Sequence, residues 1–170
     1  MKYVAVMLHS VRSAHNVGSI FRTADGTGVS KIYLVGLTPA PYDRFGRVQK
    51  DIAKVALGAE AFVPWEKISM ARFVIAKLKR EGWHIVGVEQ NVRAKDYRTY
   101  RMRSRTLFVF GNEVGGIPKN IRALCDVLIE IPMRGAMVRQ VHHPRHTRRG
   151  KESLNVSVAA GVVLFHAISS

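Results

Sequence analysis

Cysteine is all but missing from this chain of 170 residues: Cys125 stands alone. A single thiol excludes an internal disulfide and a cysteine-rich zinc site, and it fits a reducing compartment. Long apolar runs are missing too. No stretch reaches the length that spans a bilayer, and the apolar part of Met1–His9 is too short for a signal peptide. The chain therefore reads as soluble, intracellular and cytoplasmic. No internal repeat, low-complexity linker or shift in composition marks a second domain, so one domain over 1–170 is expected. Acidic residues are scarce: 12 Asp+Glu face 27 Lys+Arg, a formal net charge of +15. Such an excess favours a polyanionic partner, and nucleic acid is the commonest one. A solubilising basic surface is the plainer alternative.

What is present is a globular composition. Hydrophobic residues make up 47% and charged residues 23%, enough of the former to bury a core. Tyr3–Leu8 reads as a buried strand. A helix opens at Asn16, with Val17, Ile20, Phe21 and Ala24 on one face, and ends near Gly26 and Gly28. Lys31–Val35 is a second strand, followed by a loop rich in Pro and Gly. Ile52, Val55 and Ala56 mark a helix stopped by Gly58, and Phe62–Trp65 reads as a short strand. Ile68, Ala71, Val74, Ile75 and Leu78 line an amphipathic helix. His84–Val88, Thr106–Phe110 and Asp126–Ile131 complete the strands, with a helix near Lys119–Leu124. Strands alternating with helices predict an α/β fold: a mostly parallel sheet with helices on both faces.

The last third carries the densest signal. Pro132 and Gly135 stop the strand Asp126–Ile131, and a helix follows from Ser153 that is apolar nearly all round. Such a helix is expected to be buried on more than one side. Ser153 and Asn155 stand at its start, where they can cap backbone N–H groups or hold a ligand. Ligands of parallel sheets bind beyond the carboxyl ends of the strands, which directs attention to the turns after Leu8, Val88, Phe110 and Ile131.

After Phe110 comes Gly111-Asn-Glu-Val-Gly-Gly-Ile-Pro. Its glycines let a backbone approach a ligand, and Glu113 adds a carboxylate. Without a Gly-Lys-Ser/Thr ending it is no phosphate loop. On the first helix Gly18, Arg22 and Asp25 share a side away from the apolar face. Spacing alone favours a surface ion pair between Arg22 and Asp25 over a substrate contact.

Taken together, Asn16-Val-Gly-Ser-Ile-Phe-Arg22, Phe110-Gly-Asn-Glu113-Val-Gly-Gly-Ile-Pro, and Ile131-Pro-Met-Arg-Gly with Ser153-Leu-Asn155-Val-Ser-Val-Ala resemble the three motifs of the SpoU/TrmH family of RNA ribose 2′-O-methyltransferases. The motifs fall in the family's order and span almost the whole chain. The resemblance implies an α/β fold with a C-terminal trefoil knot, a homodimer, and S-adenosylmethionine as cofactor, with tRNA or rRNA as substrate. By matching position, Gly111, Ile131 and Leu154, with Met133 and Val88, would cradle the cofactor. Arg22, Asn16, Glu113, Ser153 and Asn155 would form the catalytic and positioning set. Arg22 would accept the proton of the ribose hydroxyl or stabilise the forming alkoxide. A non-catalytic RNA-binding protein on this fold and a knotted base-nitrogen methyltransferase are the rival readings.

One stretch departs from the family pattern. A basic insertion at about 136–151 holds Arg139, Arg145, Arg148 and Arg149, expected to clamp RNA phosphates at the cofactor site's mouth. His142, His143 and His146 lack a cysteine or carboxylate cluster beside them, so no metal is expected. A second basic run, Arg93–Arg105, interleaves Tyr97 and Tyr100 with Arg98, Arg101 and other cations. Phosphate contact with ring stacking and a solvated loop that opposes aggregation account for it equally well. The net charge makes a measurable demand: affinity for RNA falls steeply between low and physiological salt, because each phosphate contact releases counterions. A flat dependence in a fluorescence-anisotropy titration points to another substrate class.

Overall fold

The uncharged run Tyr3–His9 forms β1, whose Val4–Leu8 stretch is buried. Continuous apolar character of this kind belongs to a strand covered on both faces. In this computed structural model, which describes residues 2–134 and 153–169, β1 sits in the middle of a seven-stranded sheet. The other strands are β2 (Lys31–Val35), β3 (Trp65–Ile68), β4 (His84–Val88), β5 (Lys95–Asp96), β6 (Arg105–Phe110) and β7 (Val127–Glu130). Their order is β3-β2-β1-β6-β4-β7-β5, and every pairing between these strands is parallel. The insertion expected at 136–151, with its arginines and histidines, lies outside the described residues.

Side chains alternate across the strands and build two cores. Val4, Val6, Leu8, Ile32, Leu34, Phe108 and Phe110 point to one face. There they meet α1 (Ala14–Gly26), α2 (Lys50–Ala56), α3 (Ala59–Phe62) and α6 (Val156–Ser169). Ala5, Met7, Tyr33, Val35, Leu107 and Val109 point to the other, against α4 (Ala71–Arg80) and α5 (Lys119–Arg122). The expected parallel sheet with helices on both faces is thus the observed one.

Local details differ from expectation for identifiable reasons. Phe62 ends α3 and is 81% exposed. Pro64 biases Val63 towards extended backbone, and the strand runs over Trp65–Ile68 because those residues pair with Ile32–Val35. Ile68 therefore belongs to β3, and α4 begins only at Ala71. Helix α1 starts at Ala14 rather than Asn16, since the Ser13 hydroxyl accepts the Asn16 N–H at 3.2 Å. Helix α6 buries a single stripe, Ala160, Val163, Leu164 and Ala167. Its Val158, Phe165 and Ile168 are 50, 52 and 40% exposed, so within one chain it is not covered on several sides.

The basic run also holds more structure than a loop. Lys95–Asp96 pairs with β7, and Tyr97–Thr99 form a 3-10 turn. Both tyrosines are packed inward: Tyr97 lies edge-on against His166, while the Tyr100 ring meets Phe108 and its hydroxyl hydrogen-bonds His84 Nδ1 at 3.0 Å. Both rings are half-buried and already engaged with neighbouring rings.

Gly18, grouped by spacing with the polar side of α1, is buried instead. A Cβ there would lie 2.6 Å from the Ile52 carbonyl oxygen and 3.0 Å from Val55 Cβ. Its lack of a side chain is what lets α2 lie against α1. Gly18→Ala drives a methyl group into backbone that cannot step aside, and it costs about 1–3 kcal/mol of stability despite alanine's better helix propensity. Urea unfolding of the variant measures this; unchanged stability means that α1 and α2 separate freely.

Candidate active site

Strands β6, β4 and β7 are neighbours in the sheet, so their carboxyl ends open side by side. Above them lies a cleft of about 300 Å³, walled by Val88–Gln90, Phe110–Gly116, Glu130–Ile131 and Ser153–Val156 with Ala159. This volume is at the lower end of ordinary small-molecule sites. Chain direction reverses its lateral progress across the sheet between β1 and β4, the place where parallel sheets take ligands.

The turn after β6 forms the floor. Asn112 and Gly116 exchange backbone hydrogen bonds at 3.1 and 2.9 Å, and Asn112 Oδ1 accepts the N–H groups of Val114 and Gly115. The Asn112 amide also donates to the Ser10 carbonyl at 2.8 Å, fastening the turn to the end of β1. These closures explain two of the three glycines. A Cβ on Gly111 would lie 2.2 Å from the Gly116 carbonyl carbon; Gly116 itself has φ +64, and a Cβ there would lie 2.8 Å from Glu89 Oε1. Both are needed by the turn's own fold rather than by the approach of a ligand. Gly115 alone opens onto space.

Glu113 ties three segments together. Its carboxylate accepts the backbone N–H of Arg12 and of Ser13, each at 3.3 Å, and the Asn16 amide at 3.1 Å. The Asn16 side-chain oxygen in turn accepts the Asn155 amide at 3.1 Å. Asn155 Oδ1 accepts both the N–H and the hydroxyl of Ser157, which caps the first turn of α6. Burial alone would raise the Glu113 pKa. Hydrogen bonds from its own N–H, Asn16, Arg12 and Ser13 outweigh burial and hold it below the ordinary value.

Seven of the expected residues, Val88, Gly111, Glu113, Ile131, Ser153, Leu154 and Asn155, line the cleft. Asn16 does not, but it bonds two residues that do. Met133 and Arg22 are not among the lining residues. Arg22 is exposed on α1, and among the described residues no ion pair joins it to Asp25, so the favoured surface pairing does not form. Arg98 is engaged by Asp96, its Nε donating at 3.0 Å, whereas Arg101 is exposed. Arg139, Arg145, Arg148 and Arg149 lie outside the described residues. Sequence reasoning missed Glu89, Gln90, Asn112 and Glu130. Each stands at or just after a strand's carboxyl end, and that position was the available signal.

Three of the cleft's side chains are carboxylates. Glu89 accepts Ile117 N–H at 2.9 Å and Arg122 at 3.0 Å, yet burial wins and pushes its pKa up. Glu130 accepts the Asn91 N–H at 3.3 Å. Beside them lie Val88, Ile131, Leu154 and Val156, which give the cleft an apolar side. Acid walls with an apolar side suit a cationic ligand that carries an aromatic base.

The tether has a pH signature. Because the folded pKa of Glu113 is depressed, its contribution to stability is full above the ordinary value of 4.5 and disappears as pH falls through the lower folded value. Glu113→Ala therefore lowers stability by about 1–2 kcal/mol at neutral pH and by much less in strong acid. Thermal unfolding of both proteins across pH tests this; a pH-independent difference would rule out the carboxylate as its source.

Comparison with known proteins agrees with this geometry. Residues 3–138 match the model of the SpoU rRNA Methylase family. The 23S rRNA (guanosine-2′-O-)-methyltransferase RlmB of Ralstonia nicotianae is 31% identical over 163 residues, 96% of this chain and 57% of that protein. The chain spans little more than half the length of the curated relatives it matches. The crystal structure of the A. aeolicus TrmH/SpoU tRNA modifying enzyme superposes with a TM-score of 0.78 at 26% identity, covering 99% of this chain and 75% of that one. An AdoMet-bound rRNA methyltransferase from Sinorhizobium meliloti gives a TM-score of 0.78 at 27% identity, over 97% and 55% of the two chains. With residues 3–138 matched by the family model and seven of the expected site residues lining one strand-end cleft, the chain belongs to the SpoU rRNA methylase family.

Proposed function

We propose that this chain transfers a methyl group from S-adenosylmethionine to a ribose 2′-hydroxyl of tRNA or rRNA. The observation that carries the reading is the convergence of Gly111, Glu113, Ile131, Leu154 and Asn155, distant in sequence, on a single acid-lined cleft. S-adenosylmethionine fits that lining: its sulfonium and ammonium groups match the carboxylates, and its adenine matches the apolar side. When bound, it supplies a methyl carbon already activated for displacement, so positioning carries most of the rate.

The chain's own residues do the positioning. The turn after β6 and the residues around Ile131 and Leu154 form the cofactor's walls, with Val88 at their edge and Met133 just beyond. Glu113, through Asn16 and Asn155, holds the first turns of α1 and α6 in register, and Ser153 stands exposed at the rim. The Arg22 guanidinium stabilises the alkoxide as the ribose hydroxyl gives its proton to an RNA phosphate oxygen.

The same reading extends to assembly. The protein works as a homodimer in the cytoplasm, as one methyltransferase domain with a basic insertion at about 136–151, and its C-terminal segment passes through a trefoil knot. Support for the dimer comes from the exposed apolar residues Val158, Phe165 and Ile168 on α6, beside α1, which carries Arg22. Arg98, Arg101 and the insertion's arginines add phosphate contacts. Among the described residues no helix is long and apolar enough to cross a membrane.

Arg22→Ala lowers methyl transfer by orders of magnitude and leaves S-adenosylmethionine affinity nearly intact, because Arg22 lies outside the cleft wall. Arg22→Lys fails likewise, lacking the planar fork. Transfer of labelled methyl into RNA, nuclease-resistant dinucleotides in the digested product, and calorimetry of cofactor binding read these out. Near-normal turnover in either variant removes Arg22 from the mechanism, and methyl groups on bases instead of riboses overturn the reaction assigned.

A further inference from the structure

The sequence placed aromatic rings among cations at 93–105, yet those tyrosines are packed inward. A more exposed ring between cations occurs elsewhere, on the loop that joins β2 to α2. Tyr42 and Val48 form an antiparallel bridge, and between them the chain turns over Asp43-Arg44-Phe45-Gly46. Phe45, at the tip, is 66% exposed. The Arg44 guanidinium carbon lies 4.7 Å from its ring centroid and that of Arg47 5.2 Å.

The tip is built to be stiff. Gly46 N–H donates to the Asp43 carbonyl at 3.0 Å, and Gly46 has φ +77, the left-handed position that follows a type I turn in a three-residue hairpin. The Asp43 carboxylate accepts Phe45 N–H at 2.8 Å, Arg47 N–H at 2.9 Å and Arg47 Nε at 2.7 Å. At the root Pro41 is buried, and Tyr42 stacks on Trp65 with an interplanar angle of 17°. The Thr38 hydroxyl donates to the carbonyls of Leu8 and Val35 and accepts Val11 N–H, fixing the loop to the carboxyl ends of β1 and β2. That is the sheet end on which the cleft opens. From there the chain leaves that end: Tyr42 rests on Trp65, the first residue of β3, which pairs with Ile32 near the amino end of β2, so the turn stands at the β3 edge of the sheet rather than over the cleft.

An apolar ring at the tip of a turn gains nothing from water, and no apolar side chain of this turn covers it. Every base has a face that stacks on such a ring, and phosphate is the partner of a guanidinium. Arg44 makes no hydrogen bond or ion pair among the described residues, while Arg47 is held by Asp43. We propose that Phe45 is a stacking finger for an unpaired RNA base, with Arg44 binding a phosphate beside it, so that the substrate strand is gripped at the β3 edge of the sheet, away from the cleft. The proposal rests on the RNA reading above and adds to it a contact that no motif of the family match carries.

The test is binding of a short, fluorescein-labelled single-stranded oligoadenylate, with S-adenosylmethionine calorimetry and thermal unfolding as folding controls. Phe45→Ala weakens binding roughly 5- to 100-fold without changing its salt dependence or cofactor affinity, and Phe45→Trp restores it. Arg44→Ala instead flattens the logarithmic salt slope by about 0.7. If Phe45→Ala binds as tightly as the unaltered protein, or Phe45→Trp as weakly as Phe45→Ala, the finger is overturned. An unchanged slope in Arg44→Ala overturns the phosphate contact. If the unaltered protein binds S-adenosylmethionine but ignores the RNA, the RNA reading falls and takes the finger with it.

Discussion

The pairing of β1 with β6 is the constraint on which everything else hangs. Tyr3 through Leu8 lie beside Arg105 through Phe110 in parallel register, and the side-chain period of two fixes which of their residues feed each core. The same register delivers Ser10 to Asn112, and Arg12 and Ser13 to Glu113. A slip of one residue would exchange the faces of a central strand and also pull the start of α1 away from its carboxylate. Core and site are therefore set by one pairing, between segments about a hundred residues apart.

Charge is divided as sharply as the two cores. A chain with an overall +15 places Glu89, Glu113 and Glu130 around its cleft. At physiological ionic strength exposed charges fade over roughly 8 Å, so a ligand inside the cleft experiences these near carboxylates more than the distant basic surface. Polyanion outside and cation inside can then be favoured by one molecule without contradiction.

Much of this was legible from residues alone. Strands with uninterrupted apolar runs, such as Tyr3–Leu8 and Thr106–Phe110, announced a sheet covered on both sides, and the turns beyond them held the cleft. Periodicity could not reveal what depends on distant neighbours. Gly18 looked polar-side until α2 lay against it, and the turn glycines looked ligand-directed until Gly111 met the backbone of Gly116. Helix α6 has no polar stripe, so its sequence did not say which side meets this chain. Tyr97 and Tyr100 matched a nucleic-acid pattern by composition while serving the core, and Phe45, in a loop passed over for its Pro and Gly content, kept its ring outside. Interleaving of cations and aromatics locates candidates; only packing shows which rings remain available.

The bond from Asn155 to Asn16 spans 139 residues, and it implies an order of events during synthesis. Chains emerge from the ribosome amino terminus first. Strand β1, helix α1 and the turn carrying Glu113 all emerge before α6 does. Until it does, the cleft lacks the wall formed by Ser153–Val156, and Asn16 lacks one partner. A nascent chain thus holds the residues of its sheet before it can close its site.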